Sequence, residues 1–204
     1  MPRRSQEDRS RTTRAALEDA GRRLFAERGY AGVSAEEIVA AAGVTRGALH
    51  HHYGDKQGLF IEVLEKLETE NTAAIATAIA ALPDPADLLA TMAAGLSTFL
   101  DVSRRPETVR IAMMDGPTVL GWERWRELEA RYGLGMITDA LQRAVDAGLA
   151  APAPVPLLAQ LILSAVMEAG MIVAHAEDPD TARLEAEQCL MLLISGVLRV
   201  PGTA

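Results

Sequence analysis

Apolar residues between positions 11 and 198 recur at three- and four-residue spacing, and no stretch alternates over a strand's length, so the pattern predicts an all-α chain. Leu17, Ala20, Leu24 and Phe25 place a first helix from about Arg11 to Arg28, with Gly29 as its stop. Ser34 and Glu37 spell a capping box, in which a hydroxyl and a carboxylate reciprocally satisfy orphan amides at a helix start. A second helix therefore begins near Ala35, with Ile38, Val39 and Ala42 as its apolar face. Gly43 supplies a left-handed turn position that a residue with a Cβ finds costly. Thr45 then caps a third helix whose outward face carries Arg46, Gly47, His50 and His51, with Leu49 turned inward. Two short helices joined by a glycine turn are a helix-turn-helix.

Asp55 is positioned to cap a fourth helix from Lys56, whose stripe of Leu59, Phe60, Val63, Leu64, Leu67, Ile75, Ile79 and Leu82 runs to Pro83. Its length suits a helix that leaves one body and enters another, which puts a domain change near residue 55: a three-helix head over 1–55 and a larger helical body over 56–204. Asp84-Pro85 predicts the next helix start, to about Ser103, and a short helix follows from Pro106. Gly116-Pro117 reads as a break, and the stretch from Val119 to Gly148 as a long helix bent near Gly133 and Gly135. After an APAPVP linker, residues 156–177 are apolar on nearly every face, as expected of a helix enclosed by protein, and Asp178-Pro179 opens a last helix over 179–198. The total is about nine helices.

Composition narrows the class. An apolar content of 49% over 204 residues suffices for a real core. No apolar run reaches the ~20 residues of a membrane span, and the start MPRRSQEDRSR lacks a signal peptide's hydrophobic stretch, so the expectation is a cytoplasmic protein without membrane contact. Cys189 is the only cysteine; its apolar helical setting reads as a buried, inert thiol. The net charge of −8 is unevenly divided: residues 1–58 hold ten Lys plus Arg against eight Asp plus Glu, and the rest hold ten against twenty. Five arginines against two acids in the first fourteen residues form an arm suited to a phosphate backbone, or a solvated tail; proximity to phosphate is favoured for those nearest the first helix.

The wording TRAALEDAGRRLFAERGYAGVSAEEIVAAAGVTRGALHHHYGDKQGLF resembles the TetR/AcrR family of bacterial one-component transcriptional regulators, a likeness that covers residues 11–60 through RLFAERGY, AAGVTRGAL and the DK opening the fourth helix. The rest of the chain matches in helix count. The resemblance implies a DNA-binding head, a ligand-binding body and a homodimer formed mainly by the last two helices. His50 stands where the family most often has tyrosine, and Tyr53 where phenylalanine is common.

On that pattern Arg46 reaches base edges in the major groove, against the alternative of a solvated arginine. Gly47 permits close backbone approach, or merely suits a tight helix pair. Thr45 holds a phosphate oxygen, caps its helix, or does both. His50 and His51 face bases or phosphates, and His52 contacts the backbone. Consecutive histidines project about 100 degrees apart and cannot converge on one ion, so no metal is expected. Tyr53 packs in the head while offering its hydroxyl, and Lys56 pairs with a phosphate or is an ordinary surface residue. In the body, Met113, Trp122, Trp125 and Met171, with Met114, Met136 and Met167, are candidates for a pliable apolar effector cavity or for plain core. Glu168 and His175, seven apart on one helix face, are candidate polar anchors or satisfied core or interface groups. Arg110 and Asp115 read as helix-end and surface charges. No nucleophile elbow, phosphate loop or zinc-hydrolase pattern appears. The partners expected are double-stranded operator DNA, a small, largely apolar organic effector and a second copy of the chain, with no cofactor. A repressor released by its effector is the leading reading. An activator or corepressor-type regulator, and a binding module that no longer contacts DNA, are the alternatives.

Overall fold

The computed structural model describes residues 6–84, 87–150 and 152–198, and among them finds ten α-helices, one π-helical segment and no strand. The helices are α1 (Gln6–Arg28), α2 (Ala35–Ala42), α3 (Arg46–Tyr53), α4 (Lys56–Ala80), α5 (Leu88–Val102), α6 (Gly116–Leu120), α7 (Trp122–Arg131), α8 (Gly133–Asp146), α9 (Val155–His175) and α10 (Pro179–Val197). The π-helical segment, Thr108–Asp115, precedes α6.

Several predicted boundaries shift for identifiable reasons. Helix α1 starts five residues earlier than Arg11, at Gln6, with Glu7 and Asp8 in its first turn to favour the helix dipole. Helix α5 starts at Leu88 because Asp87, not Asp84, caps it through a bond from the Ala90 amide; the predicted Pro85 start lies outside the described residues, as does Ala151 of the linker. Gly116-Pro117 opens α6 instead of breaking a helix, since proline is tolerated where the amide is already orphaned. The long helix expected beyond it is three: Gly121, at φ 75, separates α6 from α7, and Tyr132, at φ −113 and ψ −104, separates α7 from α8.

The chain divides into two compact units. The first holds residues 6–68 and 106–122, so it takes the first half of α4 together with the π-helical segment and α6. Leu17, Phe25, Ile38, Leu49, Leu59 and Phe60 are buried there. The Phe25, Tyr30 and Phe60 rings lie 5.1 to 6.0 Å apart, two of the three pairs edge to face, an arrangement the ring quadrupoles favour. Gly29 has φ 72, and a Cβ there would fall 2.1 Å from the Arg110 guanidinium, so both conformation and close approach call for glycine.

The second unit holds 69–105 and 123–198. Leu96 and Leu100 of α5, Val166, Ala169 and Val173 of α9, and Leu190 and Ile194 of α10 form its main core, and Leu141 of α8 packs with Val155 and Ala159 of α9 in a second cluster. Arg183 ties α10 to α5: Nε donates to Asp101 at 2.5 Å and Nη2 to the Ser97 hydroxyl at 2.7 Å.

Two expectations for this unit fail. Helix α9 is 21 residues and, by length and composition, apolar enough to cross a membrane, yet only 33% of its most apolar stretch is buried. It is not enclosed on all sides: Leu157, Leu161 and Ile172 are exposed. On α10, Leu184, Leu192 and Leu193 are exposed as well, and Cys189 shares that uncovered helix, so its thiol is exposed and not buried.

Candidate nucleic-acid interface

Local chemistry shapes α2 and α3 as the sequence predicts. Ser34 adopts extended backbone, the Glu37 amide donates to its hydroxyl at 3.2 Å, and the Glu37 carboxylate accepts the Ser34 amide at 2.8 Å. Arg28 also donates to Glu37 at 2.8 Å, and this bond, followed by those from Ser34, holds the carboxyl at about 2, well below its ordinary 4.5. Gly43 turns the chain at φ 65, and its amide and that of Val44 return to α2 carbonyls. Thr45 caps α3 by accepting the Ala48 amide at 3.2 Å. Only Leu49 of α3 is buried, at 2% exposure, so one leucine anchors a helix whose other side is uncovered.

That side carries Arg46, Gly47, His50 and His51, all exposed. The Arg46 side chain, 75% exposed, pairs with Glu36 of α2. A surface pair of this kind contributes about 0 to 1 kcal/mol and is readily exchanged for another anion. Among the described residues a Cβ at Gly47 would meet only the Thr45 hydroxyl, at 3.7 Å, so crowding inside the helix pair does not explain this glycine. His50 places Nδ1 2.6 Å from the Gly54 carbonyl oxygen. The His51 and His52 rings meet edge to face at 4.9 Å.

The last residues of the motif turn inward. Tyr53 donates its hydroxyl to Glu18 of α1 at 2.5 Å, and Lys66 of α4 pairs with the same carboxylate, which Arg14 approaches to 3.8 Å. Burial pushes the Glu18 carboxyl up, but the hydrogen bonds from Lys66 and Tyr53 and the two nearby cations outweigh it and leave it below its ordinary value. Burial, and then the bond to Glu18, raise the Tyr53 phenol. His52 is half-buried; burial, followed by the His51 and Arg14 charges, lowers its tendency to protonate.

Lys56 departs from its expected role. Its ammonium donates to the Tyr30 and Val33 carbonyls at 2.9 and 2.8 Å and stands 3.9 Å above the Tyr30 ring, so it braces the α1–α2 loop instead of reaching out for a phosphate. The arginines near α1 are helical: Arg11 pairs with Asp8, and Arg14 lies 3.5 Å from Glu62. Arg3 and Arg4 lie outside the described residues.

Reasoning from sequence missed the groups that brace this motif. Glu18 was visible as a carboxylate beside Leu17 on the inward face of α1. Asp115, read as a surface charge, accepts the Tyr30 amide at 2.6 Å and faces Arg110 at 3.6 Å. Arg22 grips Glu107 through two bonds of 2.8 Å, and Gln57 donates to the Val119 carbonyl at 2.9 Å.

The model for bacterial regulatory proteins of the tetR family matches residues 17–63, and that for the tetracyclin repressor-like C-terminal domain matches 89–197, more than half of the chain. The chain belongs to the TetR family. A transcriptional repressor of Mycobacterium tuberculosis is 31% identical over 181 residues, 88% of this chain and 91% of that protein. The transcriptional regulator AcrR of Shigella flexneri is 46% identical over 57 residues, 28% of this chain and 26% of its own. A crystal structure of a TetR-family regulator from Pectobacterium atrosepticum superposes with a TM-score of 0.75 at 28% identity, covering 97% of this chain and all of that one. As a TetR-family protein the chain is a DNA-binding transcriptional regulator and not an enzyme.

The residues put forward for an effector do not gather in one place. Met113 and Trp122 belong to the first unit; Met113 is buried in the π-helical segment, whereas Trp122 is 75% exposed. In the second unit Trp125 is buried and Met171 half-buried. Glu168 and His175 do share a helix face, but it is the outer strip of α9 with Leu161 and Ile172, and the His175 ring bonds the Met171 carbonyl of its own helix at 2.9 Å. They are therefore not anchors inside the protomer's core.

Proposed function

We propose that the chain acts as a homodimeric repressor in the cytoplasm, binding a pseudo-palindromic operator through α3 of each subunit and releasing it when a small organic effector binds the body. The observation that carries this reading is the outward strip of α3: a readily exchanged arginine, a glycine that no neighbour among the described residues requires, and two imidazoles, held on a helix pair with fully built caps. An arginine in the major groove contacts guanine bidentately, Thr45 and the start of α3 offer an anion site, and His52 lies on the same helix. Lys56 and Tyr53 serve by holding the strip in place.

A second copy is the natural occupant of the uncovered apolar groove between α9 and α10, lined by Leu158, Leu161, Ile162, Leu190, Leu193 and Val197. A two-fold dimer carries two recognition helices, and an operator read by both has half-sites in successive major grooves, roughly 34 Å apart. The direction of control follows the M. tuberculosis relative, which is a repressor. Coupling of about 1 to 3 kcal/mol between effector and operator, a 5- to 150-fold change in affinity, makes a working switch. Within the second unit, buried Trp125 and half-buried Met171 supply soft apolar side chains suited to an organic effector.

Selection of genomic fragments with the purified chain tests this. The expected outcome is a small set of fragments sharing an inverted repeat, bound two chains per site, with affinity falling steeply as salt rises. Fragments without a shared repeat, or binding indifferent to salt, overturn it.

A further inference from the structure

Resting on the reading of α3 as the recognition helix, we propose that Glu36 of α2 is a specificity-determining residue: it neutralises Arg46 toward phosphate and leaves one donor edge of the guanidinium for a guanine. Arg46 opens α3 and Glu36 stands in the first turn of α2, so the turn between the helices brings an acid of one to the arginine of the other. Among the described residues Nη1 of Arg46 donates to Oε1 of Glu36, and Nε and Nη2 make no bond. The guanidinium is planar with its donors in a fixed fork, so a bond at Nη1 leaves the edge formed by Nε and Nη2 whole. Two parallel N–H groups of this kind are what guanine O6 and N7 accept.

Local structure does not require Glu36 to reach Arg46. The capping box of α2 is filled by its neighbour Glu37, which also receives Arg28. Favouring the α2 dipole accounts for an acid in the first turn, but not for its bond to the next helix. The Glu36 side chain is 61% exposed beside the strip that meets a polyanion, where a carboxylate without a partner would oppose binding.

The two kinds of acceptor that DNA offers Arg46 differ in charge. A phosphate is an anion: it either displaces Glu36, exchanging one anion for another, or stays beside that carboxylate and is repelled by it. Guanine O6 and N7 are neutral acceptors, so they take the open edge without opposing Glu36. The pairing therefore weakens the hold of Arg46 on DNA of any sequence more than its hold on the operator, and the ratio of the two affinities rises.

Affinities for the best selected operator fragment and for unrelated DNA of equal length, at one salt concentration, test the proposal with the parent chain, Glu36→Gln, Arg46→Ala and the doubly substituted chain. Glu36→Gln should bind unrelated DNA about two- to five-fold more tightly per subunit, the scale of an exposed ion pair, with little change on the operator. Repeated across salt concentrations, its logarithmic slope on unrelated DNA should steepen by up to about 0.9 per subunit, as one more cation becomes available to phosphate. Where Arg46 is already alanine, Glu36→Gln should shift both affinities by the same factor and leave their ratio unchanged. A ratio that Glu36→Gln fails to lower in the parent chain overturns the role of Glu36. So does a ratio that falls equally when Arg46 is alanine, since the acid then acts on DNA without the arginine. Equal operator affinity of Arg46→Ala and the parent chain overturns instead the reading of α3 beneath it.

Discussion

Glu37 shows how much one exposed carboxylate can hold in place. It receives Arg28 from α1 and both the amide and the hydroxyl of Ser34, and these bonds keep its carboxyl ionised down to about 2. Because its folded value lies below the ordinary 4.5, its contribution to stability is complete above pH 4.5 and is lost as pH falls toward 2. Glu37→Gln should lower the melting temperature at pH 7, and its deficit against the parent chain should shrink across that acid window. A deficit constant from pH 7 to pH 2 would show that the charge is not what holds the cap. The neighbouring Glu18 works differently: it is nearly buried, and it gathers Tyr53 and Lys66 so that the end of α3 is fixed to α1 and α4.

Helices and caps were legible wherever the chemistry is local. Ser34 with Glu37, Gly43, Thr45 and Asp178 each act within a few residues of themselves, so their spacing alone announces a start or a stop. Arg46, Gly47, His50 and His51 were assigned to the outward face by the helical repeat, and Leu49 to the inward one, as the structure has them. What spacing cannot convey is a partner far along the chain. Arg22 finds Glu107, and Tyr30 finds Asp115, across 85 residues, so neither acid could be recognised as part of the head. The partners of Lys56 lie beyond spacing for the same reason, since they are carbonyls 26 and 23 residues earlier. Lys56→Met should therefore destabilise the protein by about 2 kcal/mol, the scale of hydrogen bonds to a charged group. In DNA binding it should leave the salt dependence unchanged, and a fall of about 0.9 per subunit in the logarithmic slope would restore the phosphate role.

At the scale of the whole molecule, the informative feature is apolar surface left uncovered. Leu192 is 73% exposed on α10, and Leu157, Leu161 and Ile172 are exposed on α9, although both helices also supply the body's core. The sequence showed that these helices are apolar on more than one face, but it could not distinguish a face covered by the same chain from one left for a partner. Leu161→Glu together with Leu193→Glu should give a folded monomer, by sedimentation, that binds a half-site far more weakly than the parent binds the full repeat. A pair-substituted chain that stays dimeric moves the interface off the α9–α10 groove.

The most direct measurement is the affinity of Arg46→Ala for the best selected operator fragment, set against its affinity for unrelated DNA of equal length at the same salt. Arg46 is exposed and caps nothing, so the helical content and melting temperature should match the parent chain. The account predicts a loss on the operator of about five- to 150-fold for each half-site, corresponding to about 1 to 3 kcal/mol of base discrimination per subunit, with a much smaller loss on unrelated DNA. Equal affinity of the two chains for the operator would contradict it.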